Sequence, residues 1–162
     1  MASTITSATM KVTIAEQIIL NGRDQGSKNT LNISGIKDIF KRIITVAADD
    51  DATVLVFKST TASADGALDK DNVKYIRITN LDDSNSVNIS LQLDSGEDNS
   101  AADIQSTILL EAGKSFMMGS PEDGIGADDD AAGLVTNLVD LDSLVVQPGS
   151  NAISVEVFVA SA

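Results

Sequence analysis

The chain has 162 residues, a formal net charge of −13, and neither cysteine nor histidine. A chain of this length can build one domain, and the missing residue types exclude disulfides, zinc sites of the usual ligand types, and catalysis by a thiol or an imidazole. Residues 82–162 hold fifteen acidic residues against the single base Lys114, so we expect no nucleic acid and no anionic lipid as partner.

The N-terminal stretch MASTITSAT is rich in serine, threonine and alanine and has neither the basic nor the apolar region of a secretion signal. No later apolar run approaches the ~20 residues that a membrane-spanning helix needs. We therefore predict a flexible arm over residues 1–9 and a single β-sandwich domain over residues 10–162. We also expect neither secretion by a signal peptide nor insertion in a membrane.

Alternation of apolar and polar residues with a period of two runs through the chain from residue 10 and predicts β-strands. The stretches MKVTIAEQIIL, KYIRITN, SVNISLQLD and NAISVEVFVA show it, whereas TVLVFK is apolar on both sides and is predicted to be a central strand. IFKRIITVAA is short enough for helix or strand, and its β-branched residues favour strand. SGIKDIF and NSAADIQ could each supply one helical turn. The residues predicted to form the core are Ile76, Ile78, Val87, Ile89, Leu91, Val155 and Val157.

Turn-forming residues separate these strands. In NLDDSNS, the acids and amides can hydrogen-bond to their own backbone, so we interpret Asp82 and Asp83 as turn formers within a hairpin rather than as ligands. LEAGKSF predicts a second hairpin around Gly113, and Pro148 followed by Gly149 predicts a type II turn. Many short strands with almost no helix predict an all-β fold, an antiparallel β-sandwich or jelly roll of about eight to ten strands.

Acidic clusters are the only candidate chemistry in the sequence. None has the ligand spacing of an EF-hand, and adjacent aspartates on an extended chain point in opposite directions. The chain has one tyrosine, four phenylalanines and no tryptophan, which is poor for a sugar-binding cleft. We predict no catalytic residue and no cofactor, and the weak calcium candidates all lie in the loop 119–133: Asp123, Asp128, Asp129 and Asp130.

The stretch KYIRITNLDDSNSVNISLQL, followed by ILLEAGKSFMM, resembles a class of small virion structural proteins of tailed phages, notably phages of marine bacteria. The resemblance covers about residues 73–118. It implies a non-enzymatic capsid decoration (cement) protein that binds the capsid exterior, or alternatively a tail, neck or fibre component. The implied partners are the major capsid protein or other virion proteins. The class also implies a homo-oligomer, with a trimer favoured, which is made in the host bacterial cytoplasm and located in the virion.

A calcium-dependent binding or adhesion module is the alternative from a different class of function. In such a module the loop 119–133 would become ordered around an ion, whereas a decoration protein has no such requirement.

The uneven charge also suggests how a particle would be contacted. Residues 10–45 hold six basic residues against three acidic ones. Surfaces of like sign repel, so we expect this portion, with the arm 1–9, to face the particle. The loops 94–103 and 119–133 would then turn outward.

Overall fold

The computed structural model describes residues 5–58, 66–93, 104–119, 126–127 and 139–162. Within these ranges the chain forms β-strands and no helix, and therefore no helix that could cross a membrane. Ten of these strands have five or more residues and four have two. The strands are β1 (Ala8–Ala15), β2 (Ile19–Leu20), β3 (Arg23–Asp24), β4 (Lys28–Ile36), β5 (Asp38–Val46), β6 (Ala52–Lys58), β7 (Leu68–Asp69), β8 (Val73–Asn80), β9 (Val87–Leu93), β10 (Ile104–Leu110), β11 (Ser115–Gly119), β12 (Gly126–Ala127), β13 (Val139–Pro148) and β14 (Ile153–Ser161).

Two sheets pack face to face and make the body of the protein. The front sheet has the strand order β11-β8-β14-β5, and the back sheet has the order β10-β9-β13-β6-β7, with β12 also pairing β13. The pairs are antiparallel except for the short parallel contact between β6 and β7. This arrangement confirms the predicted all-β antiparallel sandwich.

The core lies between the two sheets, where the period-two apolar residues of facing strands meet. All seven predicted core residues are buried there, with between 0 and 7% of their surface exposed. On β6, the successive residues Val54 and Leu55 are both buried, because the register with β13 shifts between Leu144 and Val145. A bulge of this kind turns adjacent side chains to the same face, which explains the apolar run TVLVFK.

The connections predicted to be hairpins instead carry the chain from one sheet to the other. Residues 81–86 lead from β8 in the front sheet to β9 in the back sheet, and residues 111–114 lead from β10 back to β11. Residues 149–152 make the same crossing between β13 and β14. The two hairpin predictions were wrong because turn residues fix where a chain bends and not which strand it pairs with next.

Two local predictions also fail. The type II turn requires a positive φ at Gly149, and Gly149 is not among the glycines with positive φ. The helical turn at SGIKDIF is replaced by the end of β4 and the start of β5, which meet at Lys37. The Lys37 amide donates to the carbonyl of Ser161 at 2.8 Å, which holds this junction against β14. Of NSAADIQ, residues 99–103 lie outside the described residues, and Ile104 and Gln105 begin β10.

Candidate interaction surface

An antiparallel hairpin over residues 8–36 stands apart from the two sheets of the sandwich. Strand β1 pairs with β4 from Ala8 opposite Ile36 to Ala15 opposite Lys28, with one irregularity near Ala8. Beyond that pair, β2 and β3 pair with each other and extend the hairpin. We call residues 16–27 the hairpin tip.

Turn chemistry fixes the conformation of the hairpin tip. Asn21 and Gly22 have φ values of 52° and 74°, and two consecutive residues with positive φ are the pattern of a type I′ turn, for which Asn-Gly is a preferred sequence. Further back, the Gln25 amide donates to the Ile18 carbonyl at 2.9 Å, and the Glu16 amide donates to the Ser27 carbonyl at 2.8 Å. The tip is therefore an ordered continuation of the hairpin.

The base of the hairpin packs on the outer face of the front sheet. Ile33 and Ile36 of β4 are buried there against Tyr75 and Ala160. Tyr75 also meets Phe158 edge to face, with ring centroids 6.1 Å apart. Burial raises the pKa of the Tyr75 hydroxyl, although the nearby positive charge of Arg77 opposes the shift. The base therefore has a small apolar core of its own.

Away from this base, the hairpin becomes progressively more exposed. Val12, Ile14 and Leu31 line one side of a cleft of about 190 Å³, whose other side includes Tyr75 and Met117. Beyond the cleft, the tip presents three successive large aliphatic side chains to solvent. The exposed fractions are 51% for Ile18, 72% for Ile19 and 58% for Leu20.

The exposed part of the hairpin lacks the packing that stabilises a two-stranded hairpin. Such a hairpin is only marginally stable in water unless one of its faces packs against another part of the protein, and here the base has that packing. Contiguous exposed apolar side chains on a folded protein commonly mark an interaction site. The hairpin also carries three basic residues against two acidic ones, a net charge of +1 in a chain of −13: Lys11, Arg23 and Lys28 against Glu16 and Asp24. The basic excess comes from Lys11 and Lys28 at the base side, and the tip itself carries Arg23 against Glu16 and Asp24. The tip is thus an apolar, nearly neutral surface that suits an apolar surface of a protein partner.

Beside the hairpin, the outer face of the front sheet carries a network of ion pairs. One carboxylate oxygen of Glu156 lies 2.5 Å from the Arg77 guanidinium, and the other lies 3.1 Å from the Lys41 ammonium. These cations, Arg77 first, hold the pKa of Glu156 below its usual range. Because both oxygens are engaged by cations, this carboxylate acts as a structural partner that ties β14 to β8 and β5.

The stretch NLDDSNS forms a turn stabilised by its own side chains, as the sequence predicted. One oxygen of Asp82 accepts from the amides of Ser84 at 2.9 Å and Asn85 at 2.7 Å, and these bonds lower the pKa of Asp82. The fully buried Asn80 donates to the carbonyls of Asn85 and Leu110 and accepts from the Asp82 amide. The polar residues of this connection hold the chain where it crosses between the sheets.

The four calcium candidates, Asp123, Asp128, Asp129 and Asp130, lie outside the described residues. Within the residues that are described, no group of three or more acidic side chains is placed to hold a metal ion. The structure therefore leaves the calcium hypothesis as a prediction.

Sequence reasoning missed the hairpin as a separate surface. It took MKVTIAEQIIL as one more strand of the sandwich, because the alternation in β1 has the same period as in the buried strands. The available signal was Asn21-Gly22 between IIL and Arg23, which is a strong local indication of a two-residue hairpin loop.

No protein-family model matches this chain, and no curated protein is significantly similar to it. One solved structure, described as "Bacillus endospore appendages form a novel family of disulfide-linked pili", aligns over 76% of this chain and 88% of the matched chain. The two are 12% identical, with a TM-score of 0.36. At this level of similarity neither a detailed fold nor a function can be carried over to this protein.

Proposed function

We propose that this protein is a non-enzymatic structural subunit of a virion that is held to a neighbouring virion protein by its N-terminal hairpin. The observation that carries the proposal is the exposed apolar tip, where Ile18, Ile19 and Leu20 extend beyond the sandwich. The resemblance of residues 73–118 to small phage virion proteins supplies the kind of assembly.

The hairpin is suited to attachment on energetic grounds. Successive residues of a strand point to opposite faces, so a partner on one face would bury Ile18 and Leu20 and a partner on the other would bury Ile19. Fully burying one large aliphatic side chain contributes about 1.5–3 kcal/mol, so the face with two of them supports the stronger contact. The tip is also ordered by its turn before it binds, and a pre-ordered element loses less conformational entropy on association. The whole hairpin, residues 8–36, has a net charge of +1, so on an acidic surface it meets less repulsion than the acidic remainder of the chain would.

The capsid exterior is the first candidate position, as a decoration protein. A tail, neck or fibre position is the second candidate, because a hairpin that projects from one side of a sandwich can equally link successive subunits of a fibre. Both positions have the same partner class, a virion protein, and both use the hairpin.

Immunogold electron microscopy of the source particles distinguishes these positions. We expect an antiserum against the purified protein to label capsids, whereas labelling confined to tails or fibres would select the second position. Particles that contain none of the protein by mass spectrometry and bind no antiserum would contradict the proposal.

A matched pair of variants tests the role of the hairpin. The double variant Ile19→Ser and Leu20→Ser should lose co-sedimentation with the particles while keeping the melting temperature of the parent. The control Ile43→Ser changes a similarly exposed isoleucine on β5 and should still co-sediment. If the double variant binds as well as the control does, the hairpin is not the attachment surface.

Melting with calcium and with a chelator separates this proposal from the calcium-dependent module. A ligand at 100 times its dissociation constant adds about 2.7 kcal/mol to the free energy of unfolding, which raises the melting temperature measurably. We expect the same midpoint in both conditions. A clear rise with calcium would favour the binding module and point to the loop 119–133.

A further inference from the structure

The four outer strands of the sandwich differ in how well they are protected against pairing with another chain. Natural sheets protect their edges with short strands, charged residues, prolines or bulges. In the front sheet, β11 has five residues, and β5 has nine but carries Lys41 and Arg42. In the back sheet, β7 has two residues and pairs with Phe57 and Lys58 of β6, and the rest of β6 is interrupted by its irregular register with β13. These three edges are short, charged or bulged.

The fourth edge, β10, has none of these protections. Its sequence IQSTILL contains no charge, no proline and no glycine. It pairs with β9 from Ile104 opposite Leu93 to Leu110 opposite Val87 without a register shift. Within the described part of the chain, β10 has no partner on its other side. On this strand Leu109 is 63% exposed. A regular, uncharged edge of seven residues can accept another strand.

We propose that two copies of this protein associate by antiparallel pairing of β10 with β10 of a second copy, about a two-fold axis normal to the sheet. The two back sheets then form one continuous sheet across the dimer. Backbone amides and carbonyls along both edges supply the hydrogen bonds, as in other cases of strand addition. We take the partner to be a second copy because two β10 strands can pair without placing charged side chains of the strand opposite each other.

The self-complementarity follows from charge. Each copy carries −13, so most ways of bringing two copies together place acidic surfaces against each other. In antiparallel self-pairing about Thr107, this residue lies opposite its own copy, residues equally far from it on either side lie opposite each other, and like charges directly opposite destabilise a pair. The seven residues of β10 have hydroxyl, amide and aliphatic side chains, so no like charges meet within the strand, and the acidic residues Asp103 and Glu111 flank it in the sequence. The same pairing of β5 would bring Lys41 and Arg42 of two copies together.

This contact goes beyond the hairpin contact and does not depend on it, since the hairpin lies on the front sheet and β10 belongs to the back sheet. A two-fold contact also gives dimers, in contrast to the trimer that the family resemblance implies. A variant can therefore lose particle binding and still form the dimer. Another variant can lose the dimer and still bind particles, so the two proposals can fail separately.

The test is the mass of the purified protein by sedimentation and light scattering over a range of concentrations. We expect a dimer for the parent. Thr107→Lys, which changes an exposed residue in the middle of β10, should raise the dimer dissociation constant about tenfold or more because it places like charges together. Mixing the Lys variant with Thr107→Asp should restore a dimer of one copy of each. The control Thr45→Lys, at an exposed threonine of the other long edge strand β5, should leave the dimer intact.

Amide hydrogen exchange supplies a readout that needs no variant. Exchange along β10 in the parent should slow as the protein concentration rises. A parent that stays monomeric or forms a trimer, a Thr107→Lys variant that dimerises like the parent, or an equal effect of Thr45→Lys would each overturn the proposal. Exchange along β10 that does not depend on concentration would do the same.

Discussion

The N-terminal hairpin and the sandwich are built from the same kind of sequence and reach opposite degrees of burial. Ile89 in β9 has no exposed surface, whereas Ile19 in β2 of the hairpin is 72% exposed, although both are isoleucines in β-strands. The difference lies in the neighbouring strands, because β9 lies between two strands and faces a second sheet, whereas among the described residues β2 pairs only with β3. An apolar residue in a strand therefore does not by itself say whether the sheets of its own chain cover it.

The largest expected difference between the two regions is the stability cost of matched truncations. Ile89→Ala should lower the free energy of unfolding by about 2–5 kcal/mol, the usual cost of removing a buried large side chain. Ile19→Ala should change it by less than about 0.5 kcal/mol, as exposed substitutions do. Urea unfolding of both variants measures this. Equal costs would show that the tip is packed against the chain itself.

A polar truncation in the sandwich should have the next largest effect. Asn80→Ala removes one buried side chain that bonds both ends of the connection between β8 and β9 and leaves the Leu110 carbonyl without that donor. A buried group left without a partner costs about 1–3 kcal/mol, so we expect a loss in this range by urea unfolding. A neutral result would mean that water replaces the side chain at this position.

A substitution in the hairpin tip should have a local effect. A Cβ at Gly26 would collide with the backbone carbonyl of Glu16, so Gly26→Ala should disturb the tip. Because the tip is separate from the core, amide exchange should increase over residues 16–27 while the melting temperature of the sandwich stays nearly constant. Gly149→Ala is the control, because a Cβ there meets open space. A large fall in the melting temperature for Gly26→Ala would show that hairpin and sandwich unfold as one unit.

The smallest effect is the pH dependence of the sandwich. Asp82 and Glu156 have depressed pKa values in the folded protein, so the stability that they contribute is present above their ordinary values of about 4 and is lost as the pH falls through the depressed values. The double variant Asp82→Asn and Glu156→Gln keeps hydrogen-bond acceptors but cannot titrate. It should lose less stability than the parent between pH 6 and pH 3 in urea titrations. Identical pH profiles would contradict this assignment.

Much of the sandwich could be predicted from the sequence because its signals are local. Alternation in KYIRITN and SVNISLQLD placed Ile76 and Ile89 in the core, and the side chains of NLDDSNS indicated a self-bonded turn. The pairing of the strands could not be predicted in the same way. Whether β9 forms backbone hydrogen bonds with β8 or packs across the core from it depends on all the other strands. The residues of the connecting turn do not determine this choice.

The hairpin was harder to predict because its exposure depends on whether another sheet covers it, and no local sequence pattern shows this. Strands β1 and β4 alternate as the strands of the sandwich do, and Asn21-Gly22 indicates a turn but not that the hairpin projects from the domain. The helical turn expected at SGIKDIF was wrong because Gly35 lies within β4 with φ of 79°, which is outside the range of a right-handed helix, and β5 begins soon after at Asp38. Seven residues are too few for a period of 3.6 to be told from a bent strand.

The place of β14 in the front sheet has a consequence for biosynthesis. This strand lies between β5 and β8, and its Ser154 bonds to Thr45, which is 109 positions earlier in the chain. Until the ribosome has released residues 153–161, β5 and β8 have no strand between them, and each has an unpaired edge. We expect the front sheet of the nascent chain to remain incomplete until this segment has been synthesised, and chaperone binding to decrease only when the segment inserts between the two strands.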